Sequence, residues 1–187
     1  MIRIGEAVPD FELDAFVDDD IKKINMTDYE GKWLVFIFYP ADFTFVCPTE
    51  LEDAALLYDE FKKEGAEVFS VSTDTAYVHK AWHDQSAAIK KVRYPMLADP
   101  AGRICRLFGT YIENEGLSLR GSFIVDPDRV LKAFEINDNS IGRSAKELLR
   151  KLRAAKFVRE HDGMVCPANW EPGKATMKPS TDLVGKI

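Results

Sequence analysis

Apolar runs and amphipathic segments alternate along the first third of the chain. Residues 33–39, WLVFIFY, are continuously apolar, rich in aromatic and β-branched side chains, and bounded by Gly31 and Pro40. This pattern is typical of a strand that is buried on both faces. Residues 48–64 then have apolar positions at helical spacing, a proline at their start and lysines before Gly65. They predict one continuous helix.

The rest of the pattern predicts further strands and helices in an α/β order. A buried strand is expected at 67–73, a helix at roughly 77–91, an extended segment at 94–100 and a short helix at 101–109. Segments 118–126 and 130–138 predict a hairpin across Pro127 and Asp128, and 144–161 a long charged helix. The order predicts an α/β fold with a central mixed sheet flanked by helices. We expect one domain over 1–161 and an extended C-terminal arm over 162–187, which is rich in Pro, Gly and Lys.

Composition and charge narrow the class of protein. The chain has 187 residues, 46% apolar and 30% charged, which is typical of one soluble globular domain. The net charge is -6, and the acidic residues are spread along the chain. This argues against nucleic acid or an anionic membrane as partner, because both favour clustered Lys and Arg. No apolar run approaches the roughly 20 residues that span a bilayer, and the N-terminus has no stretch of signal-peptide length. We therefore expect a cytoplasmic location.

Cysteine usage points to single thiols. The three cysteines, at 47, 105 and 166, are too few and too far apart for a secreted disulfide scaffold, and none forms a CxxC pair. Cys105 lies on the apolar side of the predicted short helix, where we expect a buried structural thiol. If cysteine carries chemistry in this chain, it acts as single reactive thiols.

Cys47 comes at the start of a predicted helix. Helix N-termini leave N–H groups unpaired and carry the positive end of the helix dipole, so they favour a reactive thiolate. The alternative is a small buried residue at a strand–helix junction, because free cysteine is commonly buried. Position alone leaves both interpretations open.

The residues before Cys47 favour the reactive interpretation. Thr44 offers a hydroxyl to a substrate oxygen, Pro40 ends the strand rigidly and can shield one side of a pocket, and Phe43 and Phe45 add an apolar wall. The loop is chemically an oxygen-binding pocket around a thiolate. Acidic residues follow in the first turns of the helix, so a cation is needed to offset them.

The motif PADFTFVCPTE at 40–50 resembles the active-site motif of the peroxiredoxins. The chain is most similar to typical 2-Cys enzymes of the bacterial alkyl hydroperoxide reductase C group. The resemblance extends over nearly the whole length, through the segments FELDAF, FSVSTDTAYVHKAWH, RGSFIVDP, IGRSAKELLRKLRAAKFV, GMVCPANW and LVGKI. It implies a thioredoxin-like fold with an inserted N-terminal segment and a C-terminal arm.

The resemblance also implies an activity and residue roles. The family reduces hydrogen peroxide and organic hydroperoxides to water and alcohols through a cysteine sulfenic acid. Cys47 matches the peroxidatic position and Cys166 the resolving position, so an intersubunit disulfide is expected. Thr44 and backbone amides near Cys47 would receive the peroxide oxygens, beside Pro40.

One charged residue matches a catalytic position of the family, and two others are expected to support it. Arg120 matches the arginine that stabilises the thiolate and polarises the peroxide. From alternation alone it would be a solvent-facing strand residue, on the same face as two serines. Arg143 and Glu50 are expected to form an ion-pair network that supports the site.

The resemblance implies partners but no cofactor. A flavoprotein disulfide reductase that uses NADH or NADPH, or else a thioredoxin-like reductant, would reduce the disulfide. The chain has no Gly-rich dinucleotide fingerprint, so pyridine nucleotide is not expected to bind here. Homodimers that assemble into a decamer are expected.

The residues also bear on functions other than peroxidase activity. His79 and His83 lie four apart on a predicted helix but lack a clear third metal ligand, so a helix-surface or packing role is favoured. A holdase chaperone or a peroxide sensor could use the same thiols without rapid turnover. A cysteine hydrolase would need a histidine base beside Cys47, and the three histidines are distant in sequence.

Overall fold

The computed structural model describes residues 1–186 and folds them around a seven-stranded sheet. The strands are β1 (Glu12–Val17), β2 (Asp20–Asn25), β3 (Trp33–Phe38), β4 (Ala66–Ser72), β5 (Met96–Ala98), β6 (Tyr111–Ile112), β7 (Leu117–Ser118), β8 (Arg120–Val125) and β9 (Leu131–Asn137). The helices are α1 (Cys47–Leu56), α2 (Tyr58–Lys63), α3 (Ala76–Gln85), α4 (Arg103–Phe108) and α5 (Ala145–Glu160).

The sheet is mixed, as the sequence predicts. Its strand order is β2-β1-β5-β4-β3-β8-β9, and β6 and β7 form a separate two-stranded sheet. Strands β3, β4 and β5 run parallel, whereas β1, β2, β8 and β9 pair antiparallel with their neighbours. The turn at Pro127 and Asp128 joins β8 to β9, which confirms the predicted hairpin.

The buried strands separate two apolar cores because successive side chains point to opposite faces. Val35 and Ile37 of β3 pack with apolar residues of α1, α2, α3 and α5. Phe36 and Phe38 pack on the other face with apolar residues of α4 and the N-terminal segment. Both faces of β3 are therefore covered, and the chain leaving its C-terminal end enters the first core.

The single helix predicted at 48–64 is wrong, because the structure divides it at Leu57. This residue has φ -101° and ψ 5°, and its N–H bonds to Ala54 O, only three residues back. The tightened turn ends α1, and α2 resumes with Phe61 fully buried. No glycine or proline at this point marks the break in the sequence.

The predicted boundaries of two other elements also differ. The helix expected to reach residue 91 ends at Gln85, because Ser86 is extended and its hydroxyl accepts a hydrogen bond from Ile89 N, where a 3₁₀ turn begins. Within 118–126 only residues from Arg120 onward join the large sheet, while Ser118 pairs with Tyr111.

The β1–β2 hairpin was not predicted. Its turn places Asp18 and Asp19 at positive φ, where Asn-Gly is the usual sequence signal. Strand β2 is largely exposed, so it lacks the apolar run that marked the central strands.

The segment after α5 turns back along that helix. Trp170 is buried against Phe157, with ring centroids 4.9 Å apart, and its carbonyl accepts a hydrogen bond from Arg150. A bridge between Val165 and Met177 closes this part of the arm. Among residues 1–186, every helix is too short or too polar to cross a lipid bilayer.

Candidate active site

The site lies where β3 ends and α1 begins. Strand β3 stops at Phe38, a loop runs through residues 39–46, and Cys47 is the first residue of α1, with Pro48 following it. The predicted position of Cys47 at a helix mouth is therefore correct. Its side chain is fully buried in the core beneath α1, and it is a free thiol.

Arg120 reaches Cys47 from the neighbouring antiparallel strand. Its Nη1 atom lies 3.3 Å from Cys47 Sγ, and its side chain is buried. The solvent-facing alternative for Arg120 is therefore excluded. A guanidinium N–H at this distance can donate to the sulfur and stabilise negative charge on it.

A second arginine completes a buried ion cluster. Glu50 lies one helical turn after Cys47, and its Oε2 accepts from Arg120 Nη1 at 2.6 Å. Glu50 Oε1 accepts from both the backbone N and the Nε of Arg143, each at 2.8 Å, while Arg143 Nη1 donates to Ser122 Oγ at 3.2 Å. Two guanidiniums and one carboxylate carry a net charge of +1, which a Cys47 thiolate would neutralise.

The cluster keeps Glu50 ionised. Burial alone would raise the pKa of Glu50, but the hydrogen bonds and charge of Arg143, with the charge of Arg120, outweigh burial and lower this pKa below its ordinary value. The two acids that follow are engaged elsewhere, since Glu52 pairs with Lys91 and Asp53 accepts from Ala145 N at the start of α5. The offsetting cation required by the sequence is thus Arg120, with Arg143 behind it.

The loop before Cys47 holds Thr44 in a strained turn. Phe43 has φ 55°, a left-handed conformation that is costly for a residue with a side chain. Thr44 Oγ1 donates to Ala41 O at 2.8 Å, so its oxygen keeps acceptor capacity for a substrate hydroxyl. Pro40 is buried beneath this loop, and Phe45 is 93% exposed at its rim.

Asp42 anchors the loop to α3. Its two carboxylate oxygens lie 2.7 Å from Tyr39 Oη and 2.7 Å from His79 Nδ1, and all three side chains are buried. Burial first, and then the charge of Asp42, raise the pKa of Tyr39 well above its ordinary value, so its hydroxyl remains a donor. His79 Nε2 faces Leu97 O at 3.2 Å, so both ring nitrogens have protein partners. The packing role predicted for His79 is confirmed.

The other two cysteines occupy different environments. Cys105 is fully buried in α4, and burial, reinforced by Asp99, raises the pKa of its thiol to about 12. This confirms the predicted buried thiol. Cys166 is half-buried in the arm, with Sγ 3.8 Å from Ala154 O, and burial raises the pKa of its thiol despite the charge of Arg150. No disulfide joins any of the three cysteines.

Comparison with known proteins decides the family. The model of the AhpC/TSA family matches residues 4–134, and that of the C-terminal domain of 1-Cys peroxiredoxin matches residues 154–187. The chain belongs to the AhpC/TSA family. Alkyl hydroperoxide reductase C of Amphibacillus xylanus is 52% identical over 188 residues, and that of Escherichia coli K12 is 50% identical over 187, with both proteins covered completely in each case.

Solved structures agree with this AhpC/TSA assignment. The crystal structure of Enterococcus faecalis AhpC matches with a TM-score of 0.86 and 50% identity, covering 89% of this chain and 100% of that one. Reduced Plasmodium vivax 2-Cys peroxiredoxin matches with a TM-score of 0.90 and 33% identity, covering 96% and 94%. The predicted peroxiredoxin form of the thioredoxin-like fold is confirmed, and the chain is a thiol-dependent peroxidase.

The sequence predicts the charged residues of the site but not the contacts that hold Arg120 and the loop before Cys47 in place. Cys47, Arg120, Glu50 and Arg143 are brought into direct contact, whereas Cys166 has no contact with Cys47 within the described chain. The contact of Arg120 Nε with the carbonyl of Asn139, at 2.8 Å, uses a backbone atom and leaves no signal in the sequence. The aspartate inside PADFTFVCPTE could have drawn attention, because a charged residue in an apolar loop needs a partner.

Proposed function

We propose that Cys47 is the peroxidatic cysteine and that Cys166 of a second subunit resolves it. In this proposal residues 1–161 form the peroxidase domain and 162–187 form the arm that carries the resolving thiol. The observation that carries the proposal is the buried ion cluster around Glu50, because it has a net positive charge and places one N–H of Arg120 3.3 Å from Cys47 Sγ.

The first step is a displacement at oxygen. The Cys47 thiolate attacks one oxygen of the hydroperoxide, so that an S–O bond forms while the O–O bond breaks. The leaving oxygen takes the electron pair and a proton and departs as water or an alcohol. The sulfur is oxidised by two electrons to a sulfenic acid, and the peroxide is reduced by the same two.

Donors around Cys47 lower the barrier of this step. Negative charge moves from sulfur to the leaving oxygen, so groups that hydrogen-bond to that oxygen stabilise the transition state. Arg120 supplies guanidinium N–H groups, and amides at the start of α1 supply backbone donors. Thr44 Oγ1 accepts a hydrogen bond from the hydroxyl of the peroxide and so orients the substrate, while Pro40 limits access of water to the site. Glu50 and Arg143 hold Arg120 in place.

The second step needs movement of α1. Cys47 is fully buried, so its sulfur cannot meet another sulfur until the first turn of α1 unwinds. The Cys166 thiol of the second subunit then attacks the sulfenic sulfur, an S–S bond forms and water leaves. Further along α1, Leu51 O accepts from Tyr94 Oη and the Asp53 carboxylate accepts from Ala145 N. These two contacts hold the rest of α1 in place and would confine the unwinding to its first turn.

The cycle closes when a separate protein returns two electrons. A flavoprotein disulfide reductase using NADH or NADPH fits this role, with a thioredoxin-like protein as the alternative donor. The names of the relatives indicate alkyl hydroperoxides as substrates, and we propose hydrogen peroxide as a second substrate. We further propose a homodimer that assembles into a decamer, and a cytoplasmic location, because three widely spaced cysteines are too few for a secreted disulfide scaffold.

The proposal is tested by single substitutions in the full chain. Cys47→Ser should abolish peroxide consumption in a coupled NAD(P)H-oxidation assay, whereas Cys105→Ser should retain it. Cys166→Ser should still consume about one equivalent of peroxide per subunit before it stops, because only resolution is lost. Sustained thiol-dependent turnover by Cys47→Ser would overturn the assignment.

A further inference from the structure

We propose that Asp138 is a positioning residue for the peroxidase reaction, and that it acts on Arg120 by orienting one peptide group. The inference rests on the role proposed above for Arg120. Asp138 lies on the exposed turn that follows β9, and it touches neither Cys47 nor Arg120. Its influence must therefore pass through the backbone.

The side chain of Asp138 closes a compact turn. Its Oδ1 accepts from the backbone N of Ser140 at 2.8 Å and also from the Ser140 hydroxyl, while Ile141 N donates to Asp138 O at 3.0 Å. This arrangement is an Asx-turn, in which an aspartate side chain fixes the backbone two residues ahead. The hydrogen bonds of Ser140 lower the pKa of Asp138, so the acceptor stays ionised.

The fixed peptide group carries two functional atoms. Ser140 N and Asn139 O belong to the same planar trans peptide, in which the N–H and C=O point in opposite directions. When Asp138 holds the N–H on one side, the carbonyl of Asn139 is directed to the other. There it accepts from Arg120 Nε at 2.8 Å.

This contact sets the plane of the Arg120 guanidinium. Nη1 of the same group is shared between Glu50 Oε2 and Cys47 Sγ, at 2.6 and 3.3 Å. Glu50 draws the guanidinium toward α1, and among residues 1–186 the acceptor bonded to Nε is the Asn139 carbonyl. Because the guanidinium is rigid and planar, rotation at Nε moves Nη1 away from the sulfur. The same turn leads directly into Arg143, whose backbone N also binds Glu50.

The test measures the second-order rate constant for oxidation of Cys47 by hydrogen peroxide in the full-length reduced protein. Asp138→Ala should lower this constant about tenfold, the scale of one lost hydrogen bond. Asp138→Asn retains an oxygen that can accept from Ser140 N, so it should restore the rate to within about twofold. Asp128→Ala removes another exposed turn aspartate, remote from Cys47, and should leave the rate unchanged.

A double-mutant cycle separates positioning from general loss of structure. Lysine has no Nε–H to donate to Asn139, so Asp138→Ala should have no further effect in an Arg120→Lys background. The inference is overturned if Asp138→Ala has the wild-type rate, if Asp138→Asn is as slow as Asp138→Ala, or if the effect persists with Arg120→Lys. Should Arg120→Lys itself keep the wild-type rate, the proposed role of Arg120 fails instead.

Discussion

At the scale of single residues, Glu50 decides whether the two buried arginines can be tolerated. Its carboxylate is the shared partner of Arg120 and Arg143, and all three side chains are at most 5% exposed. Breaking a buried ion pair leaves uncompensated charge, which costs about 3–5 kcal/mol. We expect Glu50→Gln to lower the free energy of unfolding at pH 7 by about this amount and to slow Cys47 oxidation.

The pH dependence of this effect has a definite sign. The pKa of Glu50 is lowered by folding, so its contribution to stability is full above the ordinary value of 4.5 and disappears as pH falls through the lowered pKa. Urea unfolding of wild type and Glu50→Gln should therefore show a stability gap at pH 7 that narrows in acid. Glu113→Gln, which removes an exposed ion pair with Arg106, should cost less than about 1 kcal/mol. A gap that stays constant down to strongly acid pH would contradict this assignment of charge.

Arg120 shows what alternation can and cannot predict. Its face of β8 was identified correctly, since Ser122 on the same face also faces the ion cluster, through Arg143. Alternation could not show that this polar face is the interior of a site. The burial of Arg120 depends on Glu50, which lies 70 residues earlier in the chain, and on Arg143, which lies in a separate segment after β9. Only tertiary structure brings them together.

At the scale of elements, the active-site loop is held by α3 as much as by its own sequence. Asp42 ties the loop to His79 of α3, and this restraint supports the left-handed backbone at Phe43. We expect Asp42→Ala to reduce the free energy of unfolding by about 2–4 kcal/mol, because it removes the buried carboxylate that bonds to both Tyr39 Oη and His79 Nδ1. Amide hydrogen exchange at residues 42–46 should accelerate.

A matched control exists on the same helix. Asp84 of α3 pairs with the exposed Lys80, so Asp84→Ala should change the free energy of unfolding by less than about 1 kcal/mol and leave exchange in the loop unaltered. Equal effects of Asp42→Ala and Asp84→Ala would show that the loop does not depend on this anchor.

Elements with strong local patterns could be predicted, and those set by packing could not. Strand β3 was clear from its continuous apolar run, and β4 from its valines and phenylalanine. The division at Leu57 has no local signal, because the tightened turn is compatible with an ordinary leucine and serves the burial of Phe61. The β1–β2 hairpin was missed because its turn uses Asp18 and Asp19 in place of glycine.

At the scale of the whole molecule, the contacts within residues 1–186 do not bring the proposed resolving thiol to Cys47. Cys47 is buried at the first position of α1, and Cys166 faces Ala154 on α5, in an arm anchored by Trp170. If the resolving thiol comes from a second subunit, two inactive variants should complement each other. Cys47→Ser supplies only Cys166, and Cys166→Ser supplies only Cys47.

Co-expression of these two variants therefore tests the subunit origin of the disulfide. After one equivalent of peroxide, mixed dimers should give a dimer-sized band on a non-reducing gel, and mass spectrometry should identify a peptide linking Cys47 to Cys166. Neither variant alone should yield that linked peptide. A disulfide within one chain predicts the opposite: wild type would stay monomer-sized on the gel, and the mixture would give no Cys47–Cys166 peptide, because no chain in it carries both thiols.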